Sequence, residues 1–252
     1  MNIWFFNHYA VPPWYYPLYR PYKFAKNLIE SGHNVTIFAA STVHNSSENL
    51  IKDNKQYKTE KSDKINYVYI KTSNYDGNGI DRIINMIQYS LKLLLVSKYF
   101  IKPDLIIATS VHPLTWLAGY FLSKKYDARF IAEIADLWPE TLVAMGRIKK
   151  NSIPAKILYA IEKFIYEKAD RLIFTMSGGV DYIRDKGWDK QIDLNKVNYI
   201  NNGIDLEDFN KNAYTFQVND KDILSKNIFK IMYTGSLGEA NMVIKILQTA
   251  KV

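Results

Sequence analysis

The chain has 252 residues, of which 48% are hydrophobic and 23% are charged, a balance typical of a globular protein with one large domain or two small ones. It contains no cysteine, which excludes disulfides, thiolate metal sites and a cysteine nucleophile. The formal net charge of +8 favours anionic partners, and nucleic acid is not expected among them because the sequence has no basic arm, recognition helix or zinc finger.

The amino-terminal part of the chain predicts a βαβ unit. Residues 2–6 are predicted as a strand and residues 18–31 as a helix that ends at Gly32. Residues 35–39 are predicted as the second strand, and the polar residues 41–64 as a mobile loop. No glycine follows the first strand, so the glycine-rich turn of a nicotinamide or flavin enzyme is missing and such an enzyme is not expected.

The next part of the chain predicts two further strands, at residues 65–70 and 104–108, and helices at 81–101 and 114–124. Two roles remain open for the helix at 81–101, because a basic amphipathic helix can lie in a membrane interface whereas a crossover helix packs against the sheet. No apolar run is long enough to span a bilayer and the start lacks the basic region of a signal peptide. A cytoplasmic protein that begins at Met1 is therefore expected.

A central apolar stretch, residues 130–135, predicts a strand that is buried on both faces. A turn into a helix follows, and Pro139 suits the first turn of that helix. Glu133 and Asp136 therefore lie near the carboxyl end of a central strand, the edge where open α/β sheets bind their ligands. A plain helix-capping role for Asp136 remains an equal alternative from the pattern alone.

Two histidines follow other predicted strands. His8 comes after the first strand, and His112 comes after the strand at 104–108. If these strands are parallel, both histidines share the ligand-binding edge with Asp136. A single loop histidine is more often a hydrogen-bonding residue than a catalyst. Three polar candidates from separate strands strengthen the catalytic interpretation without settling it, so both roles stay open here.

The last part of the chain predicts a helix at 153–168, strands at 171–174 and 197–200, and a polar interdomain linker at 210–227. A strand at 229–234 follows, and then Gly235, Ser236, Gly238 and a helical pattern, an arrangement that could hold a diphosphate. One strand and one helix cannot form a core, so the sequence is expected to end inside a second domain.

Several motifs occur together in one order along the chain: MNIWFFNHYAVPP, SGHNVTIFAAS, PDLIIATSVHP, EIADLWPETLVAMG, EKADRLIFTMSGGVDYI, VNYINNGIDLEDF and YTGSLGEANMV. Through them the chain resembles the family 4 retaining glycosyltransferases of the GT-B fold, especially the bacterial branch that builds O-antigen and capsule. The resemblance implies an α/β fold, with a Rossmann-like parallel sheet flanked by helices. The acceptor-binding GT-B N-terminal domain would occupy residues 1–227, and the first β-α unit of the donor-binding domain residues 228–252.

The resemblance also implies roles for the candidate residues. Catalysis would involve Asp136 and His8, acceptor binding Asn7, Arg20, His112 and Glu133, and donor binding Gly235, Ser236 and Gly238. Such enzymes are generally thought to react on one face of the sugar, with the leaving diphosphate helping to take the proton of the acceptor. Neither a metal ion nor a cofactor other than the nucleotide-sugar substrate is therefore expected.

The implied function is transfer of a sugar from a nucleotide sugar to an undecaprenyl-diphosphate-linked saccharide, by a peripheral protein at the inner face of the plasma membrane. The product would be a surface polysaccharide such as O-antigen or capsule. Little or no turnover is expected from this chain alone, since the donor-gripping residues of the family would lie beyond residue 252. The alternative is a non-catalytic truncated or split module that binds membrane, lipid-linked sugar, a separate donor-domain chain or a second copy of itself.

Overall fold

A computed structural model describes residues 1–235, 237 and 241–249, and its centre is one eight-stranded sheet. The strands are β1 (Asn2–Phe6), β2 (Asn34–Ala40), β3 (Tyr57–Ser62), β4 (Ile65–Ile70), β5 (Leu105–Thr109), β6 (Arg129–Ile134), β7 (Arg171–Phe174) and β8 (Val197–Tyr199). Their order across the sheet is β3-β4-β2-β1-β5-β6-β7-β8, and all neighbours are parallel except β3 with β4. The predicted parallel α/β sheet is confirmed.

Helices connect and cover these strands. They are α1 (Tyr19–Glu30), α2 (Ile80–Val96), α3 (Pro113–Tyr126), α4 (Glu140–Ala144), α5 (Ile153–Lys168), α6 (Gly179–Asp185), α7 (Leu206–Thr215), α8 (Lys221–Leu224) and α9 (Val243–Thr249). Short 3-10 turns lie at Ser97–Tyr99 and Leu194–Lys196. Among the described residues, no helix has both the length and the apolar character needed to cross a bilayer.

The core consists of two apolar clusters on opposite faces of the sheet. Successive residues of a strand point to opposite sides, so Trp4 and Phe6 of β1 join one cluster whereas Ile3 and Phe5 join the other. Side chains of α2, α3 and α5 cover the first cluster, and α1 contributes to the second. Burial of both faces explains the nearly continuous apolar strands and leaves the strand ends as the place for polar side chains.

The edge strand β3 lies where the sequence predicted a mobile loop. Residues 41–64 include β3, which pairs with β4 in an antiparallel hairpin. The hairpin turn is Asp63-Lys64, and both residues have positive φ, as a tight two-residue turn requires. The strand was missed because its sequence, YKTEKS, is polar, which suits an exposed sheet edge rather than a core.

The chain divides into two compact units, Met1–Asn202 and Gly203–Val252. The sheet and helices α1 to α6 lie in the first unit, and α7, α8 and α9 lie in the second. The domain boundary that the sequence placed at residue 227 stays a prediction.

The second unit differs in secondary structure from what the sequence predicted. Helices α7 and α8 occupy part of the expected linker at 210–227, and the side chains of Asp205 and Asp220 cap them by accepting from backbone N–H groups. The strand predicted at 229–234 is absent. A strand needs a hydrogen-bonding neighbour, and no other strand occurs among the described residues of this unit.

Candidate active site

The carboxyl edge of the parallel sheet gathers the polar residues that the sequence placed there. Strands β1, β5 and β6 are neighbours, and His8, His112 and Asp136 follow them in that order. Glu133 lies near the end of β6, in register with Thr109 of β5. The shared edge is therefore as expected, and what each side chain can do depends on its contacts.

His8 and His112 are both buried and are hydrogen-bonded to each other. His112 Nε2 lies 3.0 Å from His8 Nδ1, and His8 Nε2 lies 2.7 Å from Asn85 Oδ1 on α2. Asn85 Nδ2 in turn donates to the backbone oxygen of Ser73 at 2.6 Å and to Thr42 Oγ1 at 3.1 Å. The two histidines thus belong to one buried chain of hydrogen bonds.

One backbone carbonyl determines the direction of these hydrogen bonds. The oxygen of Ser73 can only accept, so the amide nitrogen of Asn85 points to it and Asn85 Oδ1 faces His8. His8 therefore carries its hydrogen on Nε2, and its Nδ1 accepts from His112. Burial lowers the pKa of His8 to about 3 and the pKa of His112 well below its usual value. Both rings are neutral at physiological pH.

Arg20 and Glu133, both predicted to bind the acceptor, are bound to each other. Arg20 Nε and Nη2 each lie 2.9 Å from Glu133 Oε1, and the Thr109 hydroxyl donates to Glu133 Oε2 at 2.7 Å. The remaining Arg20 donors reach three oxygens of the segment 200–202, after β8, at 2.8, 2.9 and 3.3 Å. All five N–H groups of the guanidinium are thus directed at protein partners. The pair ties β6 to this segment, and its role toward the acceptor stays a prediction.

Asp136 differs from Glu133, because its backbone is held while its carboxylate has no partner among the described residues. The Ser110 hydroxyl accepts hydrogen bonds from the backbone N–H groups of Ala135 and Asp136. It donates one to the backbone oxygen of Asp136, at 3.1 Å. Thr175, after β7, donates to the backbone oxygens just before Asp136. No hydrogen bond or ion pair reaches the Asp136 carboxylate from the part of the chain that the structure describes, and burial raises its pKa above the usual value. Asp136 is therefore a solvent-exposed residue in a fixed position, whose carboxyl group is partly shielded from water by its neighbours.

Asn7 acts within its own turn. Its side-chain oxygen accepts from the backbone N–H of Tyr9 at 3.1 Å, and its backbone N–H donates to Phe38 of β2 at 3.2 Å. Asparagine often forms such a turn with the residue two positions later. The turn directs the chain from β1 toward His8, while contact of Asn7 with the acceptor stays a prediction.

The sequence reasoning missed an aromatic and basic cluster beside the end of β1. The rings of Tyr9 and His44 are stacked with centroids 4.2 Å apart, and the Tyr9 hydroxyl accepts from Arg82 Nε at 2.9 Å. His44 Nδ1 lies 3.0 Å from the Tyr75 hydroxyl. Burial, with a smaller effect of the Arg82 charge, lowers the pKa of His44 to about 4. His44 and Tyr75 follow β2 and β4, so the strand-end rule could have found them.

Comparison with known protein families shows to which family this chain belongs. The model of Glycosyltransferase Family 4 matches residues 21–208, well over half of the chain. The chain belongs to glycosyltransferase family 4. The matched range contains His112, Glu133 and Asp136, whereas Asn7, His8 and Arg20 precede it.

The individual proteins and structures to which the chain is similar are distant. The chain is similar to the probable glycosyltransferase WbjE of Pseudomonas aeruginosa, with 27% identity over 95 residues, or 38% of this chain and 23% of that protein. Its fold is similar to that of a sucrose-phosphate synthase from Thermosynechococcus elongatus, with a TM-score of 0.52 and 15% identity over 83% of this chain and 93% of that one. HepE of Anabaena, solved in complex with UDP-glucose, is similar with a TM-score of 0.47 and 12% identity over 85% of this chain and 49% of that one. The matched part thus covers only a fraction of WbjE and about half of HepE.

The donor-side residues implied by the likeness to family 4 lie in the second unit. Gly235 is exposed, and Ser236 and Gly238 lie outside the described residues. Their contact with a donor diphosphate stays a prediction. Within the described ranges, no group of three or more histidine, aspartate and glutamate side chains could hold a metal ion.

A second buried carboxyl group in this family 4 chain lies among the helices after the central strand. Glu162 of α5 has no exposed surface and accepts from the hydroxyls of Tyr166 and Tyr182, each at 2.9 Å. Burial raises the pKa of Glu162 to about 8, so the folded protein keeps it mostly protonated at neutral pH. Nearby, Glu140 of α4 is paired with Lys186. The sequence did not reveal this cluster, because a glutamate in a helical pattern normally faces solvent.

Proposed function

We propose that this chain serves a glycosyl transfer in which a sugar passes from a nucleotide-sugar donor to an undecaprenyl-diphosphate-linked saccharide. The observation that carries the proposal is the family 4 match over residues 21–208, a range that contains the exposed Asp136 with its fixed backbone. The lipid-linked acceptor, and a product such as O-antigen or capsule, follow from the motif resemblance in the sequence.

The proposed reaction breaks the bond between the anomeric carbon and the donor diphosphate and forms a bond to the acceptor oxygen on the same face of the sugar. The proton of the reacting hydroxyl passes to the departing diphosphate. In this scheme, the Asp136 carboxylate accepts a hydrogen bond from a hydroxyl of the acceptor sugar and holds that sugar in place. Because Ser110 already holds the backbone of Asp136 and Thr175 holds the two residues before it, this contact costs little reorganisation.

His8 and His112 have a positioning role in the proposal, in place of the catalytic and acceptor-binding roles expected from the sequence. Both are neutral and buried, so neither can supply a cation or reach a bound sugar directly. The His8 ring packs against Tyr9, with centroids 4.7 Å apart, and bonds Asn85. The histidines thereby fix the turn after β1 relative to α2.

The donor would approach Gly235 and its neighbours, and no metal or cofactor other than the nucleotide sugar is part of the proposal. The protein would work at the inner face of the plasma membrane as a peripheral protein, where the polyprenyl-linked acceptor is presented.

The test is a titration of the purified chain with a short-chain polyprenyl diphosphate-linked sugar. We expect saturable binding that Asp136→Asn weakens by about tenfold, the effect of one hydrogen bond to a charged group. The matched control is Asp127→Asn at the exposed end of α3, where φ is 54° and asparagine is well tolerated. No binding by the folded protein, or equal binding by all three proteins, would reject this acceptor site.

A second candidate function is that of a non-catalytic module that binds a partner chain. It rests on the second unit, in which Phe229, Ile231 and Leu237 are 89%, 76% and 81% exposed. Exposed apolar side chains in such numbers mark interaction surfaces. Sugar transfer by the purified chain would favour the enzyme, whereas association with a donor-domain chain or with itself, without transfer, would favour the module.

A further inference from the structure

Helix α2 exposes an aliphatic stripe on the side that faces away from the sheet. Ile80, Ile87, Leu91 and Leu95 are 74%, 42%, 57% and 68% exposed. At 3.6 residues per turn, they fall with two neighbours within about 120° of the helix circumference. The complete stripe, called here the α2 stripe, consists of Ile80, Ile83, Ile84, Ile87, Leu91 and Leu95.

The side chains of the α2 stripe are exposed and do not pack in the core of the protein. The opposite face of α2 is buried and packs against the sheet through Tyr89, Leu93 and Val96. A helix on the surface of a globular protein normally places polar side chains on its outer face. An apolar outer face on a helix that is already packed therefore indicates a contact outside the fold.

Charged groups are arranged beside the α2 stripe, and none lies within it. Arg82 is directed to Tyr9, and Lys92 donates to the backbone oxygen of Lys71. At the carboxyl end of the helix, Lys98 and Lys102 are exposed, and the Lys98 ammonium lies 5.1 Å from the ring centre of Tyr99. An aliphatic face followed by lysines and a tyrosine is typical of helices that lie in a membrane interface, where lysines and aromatic rings reach the headgroups.

The same helix is connected to the candidate active site. Its Asn85 bonds His8 and its Arg82 bonds Tyr9, and both partners directly follow β1 at the carboxyl edge of the sheet. A surface that contacts the α2 stripe therefore lies next to the edge proposed for the acceptor. This is the position that a protein with a membrane-anchored acceptor requires.

We propose that the α2 stripe docks on a bilayer that contains anionic phospholipid. Helix α2, about 25 Å long, would lie parallel to the surface with its aliphatic side chains below the headgroups and with Lys98 and Lys102 at headgroup level. A net charge of +8 attracts the chain to an anionic bilayer and makes two copies repel each other, so charge favours lipid over a second copy as the occupant. The biological use of this surface rests on the proposed function, but the binding itself needs neither donor nor acceptor.

The experiment is cosedimentation of the full chain with vesicles of phosphatidylcholine alone or with an equal amount of phosphatidylglycerol. The variant Ile87→Gln/Leu91→Gln removes two exposed aliphatic groups without changing charge, and we expect its apparent affinity for mixed vesicles to fall at least about tenfold. The matched control, Ile153→Gln/Ile157→Gln, changes exposed isoleucines of α5 and should bind as the native chain does. Lys98→Gln/Lys102→Gln should lose about tenfold on mixed vesicles and little on neutral ones.

The substituted residues are exposed, so circular dichroism and melting temperature should stay unchanged and losses of binding can be assigned to the surface. Native-like binding by Ile87→Gln/Leu91→Gln, or an equal loss in the α5 control, would overturn the proposal. If the native chain forms a dimer that Ile87→Gln/Leu91→Gln dissociates and the other variants do not, while that variant still binds vesicles, the stripe is instead an interface between two copies. Vesicle binding without any binding of polyprenyl-linked sugar would reject the proposed acceptor and leave the membrane surface in place.

Discussion

Glu133 and Asp136 lie three residues apart at the end of the same strand, yet their surroundings are opposite. The Glu133 carboxylate is bound by Arg20 and Thr109, and the backbone rather than the carboxylate of Asp136 is held. A carboxylate whose partners are all internal stabilises the fold, whereas one that is fixed but unpaired can still bind a ligand. The comparison teaches that proximity to the ligand-binding edge does not assign a role, and that free hydrogen-bonding capacity does.

The largest effect is expected for the paired carboxylate. Glu133→Ala leaves the guanidinium of Arg20 without its anion and should lower the free energy of unfolding by about 3 kcal/mol in urea denaturation. Glu167→Ala, which removes a partner of the half-exposed Lys163, is the control and should change it by no more than about 0.5 kcal/mol. Equal effects of the two substitutions would mean that the Arg20 contact does not stabilise the fold.

The hydrogen bonds that link the buried His8, His112 and Asn85 extend the comparison of paired and unpaired groups to uncharged side chains. Asn85→Leu leaves His8 Nε2 and the Ser73 carbonyl without partners, so we expect a loss of about 2 kcal/mol in the same measurement. The control, Asn27→Leu, changes an exposed asparagine of α1 and should have a much smaller effect. If Asn85→Leu were as stable as the native protein, these linked hydrogen bonds would make no contribution to the stability of the fold.

The pH dependence of stability should separate the histidines from Glu162. Between about pH 5 and 6, the unfolded chain protonates His8 and His112 while the folded chain does not, so these groups make stability rise with pH. Glu162 acts in the opposite direction, because its pKa of about 8 lets the folded chain hold a proton that the unfolded chain releases. Each group changes the slope of the unfolding free energy against pH by about 1.4 kcal/mol per pH unit.

Glu162→Gln cannot titrate and should therefore steepen the rise of unfolding free energy with pH in this range by about 1.4 kcal/mol per pH unit. Urea denaturation at several pH values measures both slopes. A slope that is unchanged by the substitution would contradict the assignment of a raised pKa to the buried Glu162.

The smallest stability effect, with the opposite sign, is expected for the unpaired carboxylate. Burial raises the pKa of Asp136, so the folded protein loses stability as the pH rises from the ordinary aspartate value through the raised one. Asp136→Asn removes this loss and should leave stability at neutral pH equal or slightly higher, while Glu133→Gln lowers it. Thermal unfolding of both variants at neutral pH tests the contrast, which would fail if Asp136→Asn were the less stable of the two.

Much of the fold was predictable because periodicity and strand-end chemistry are local. The apolar runs of β1, β2, β5 and β6 and the helical patterns of α1, α3 and α5 predicted their elements closely. β3 was missed because an edge strand needs no apolar face, and the strand predicted at 229–234 did not form because strand pairing requires a neighbour. Local pattern therefore predicts an element best where burial determines it.

The candidate site was only partly predictable. Order along the chain placed His8, His112 and Asp136 at one edge, because parallel strands end together. His44 and Tyr75 were overlooked although they follow β2 and β4, where the strand-end rule applies. The buried Glu162 was not identified because nothing in its local sequence marks it as buried.

The sequence by itself determined the alternation of strands and helices, the motifs of glycosyltransferase family 4 and part of the set of polar residues at the carboxyl edge. Only the tertiary structure decided which of these residues are still free to bind. Arg20 reaches Glu133 across 113 positions of the chain, and His8 reaches His112 across 104. Hydrogen-bonding capacity is consumed by neighbours in space, and a linear sequence does not state which neighbours those are.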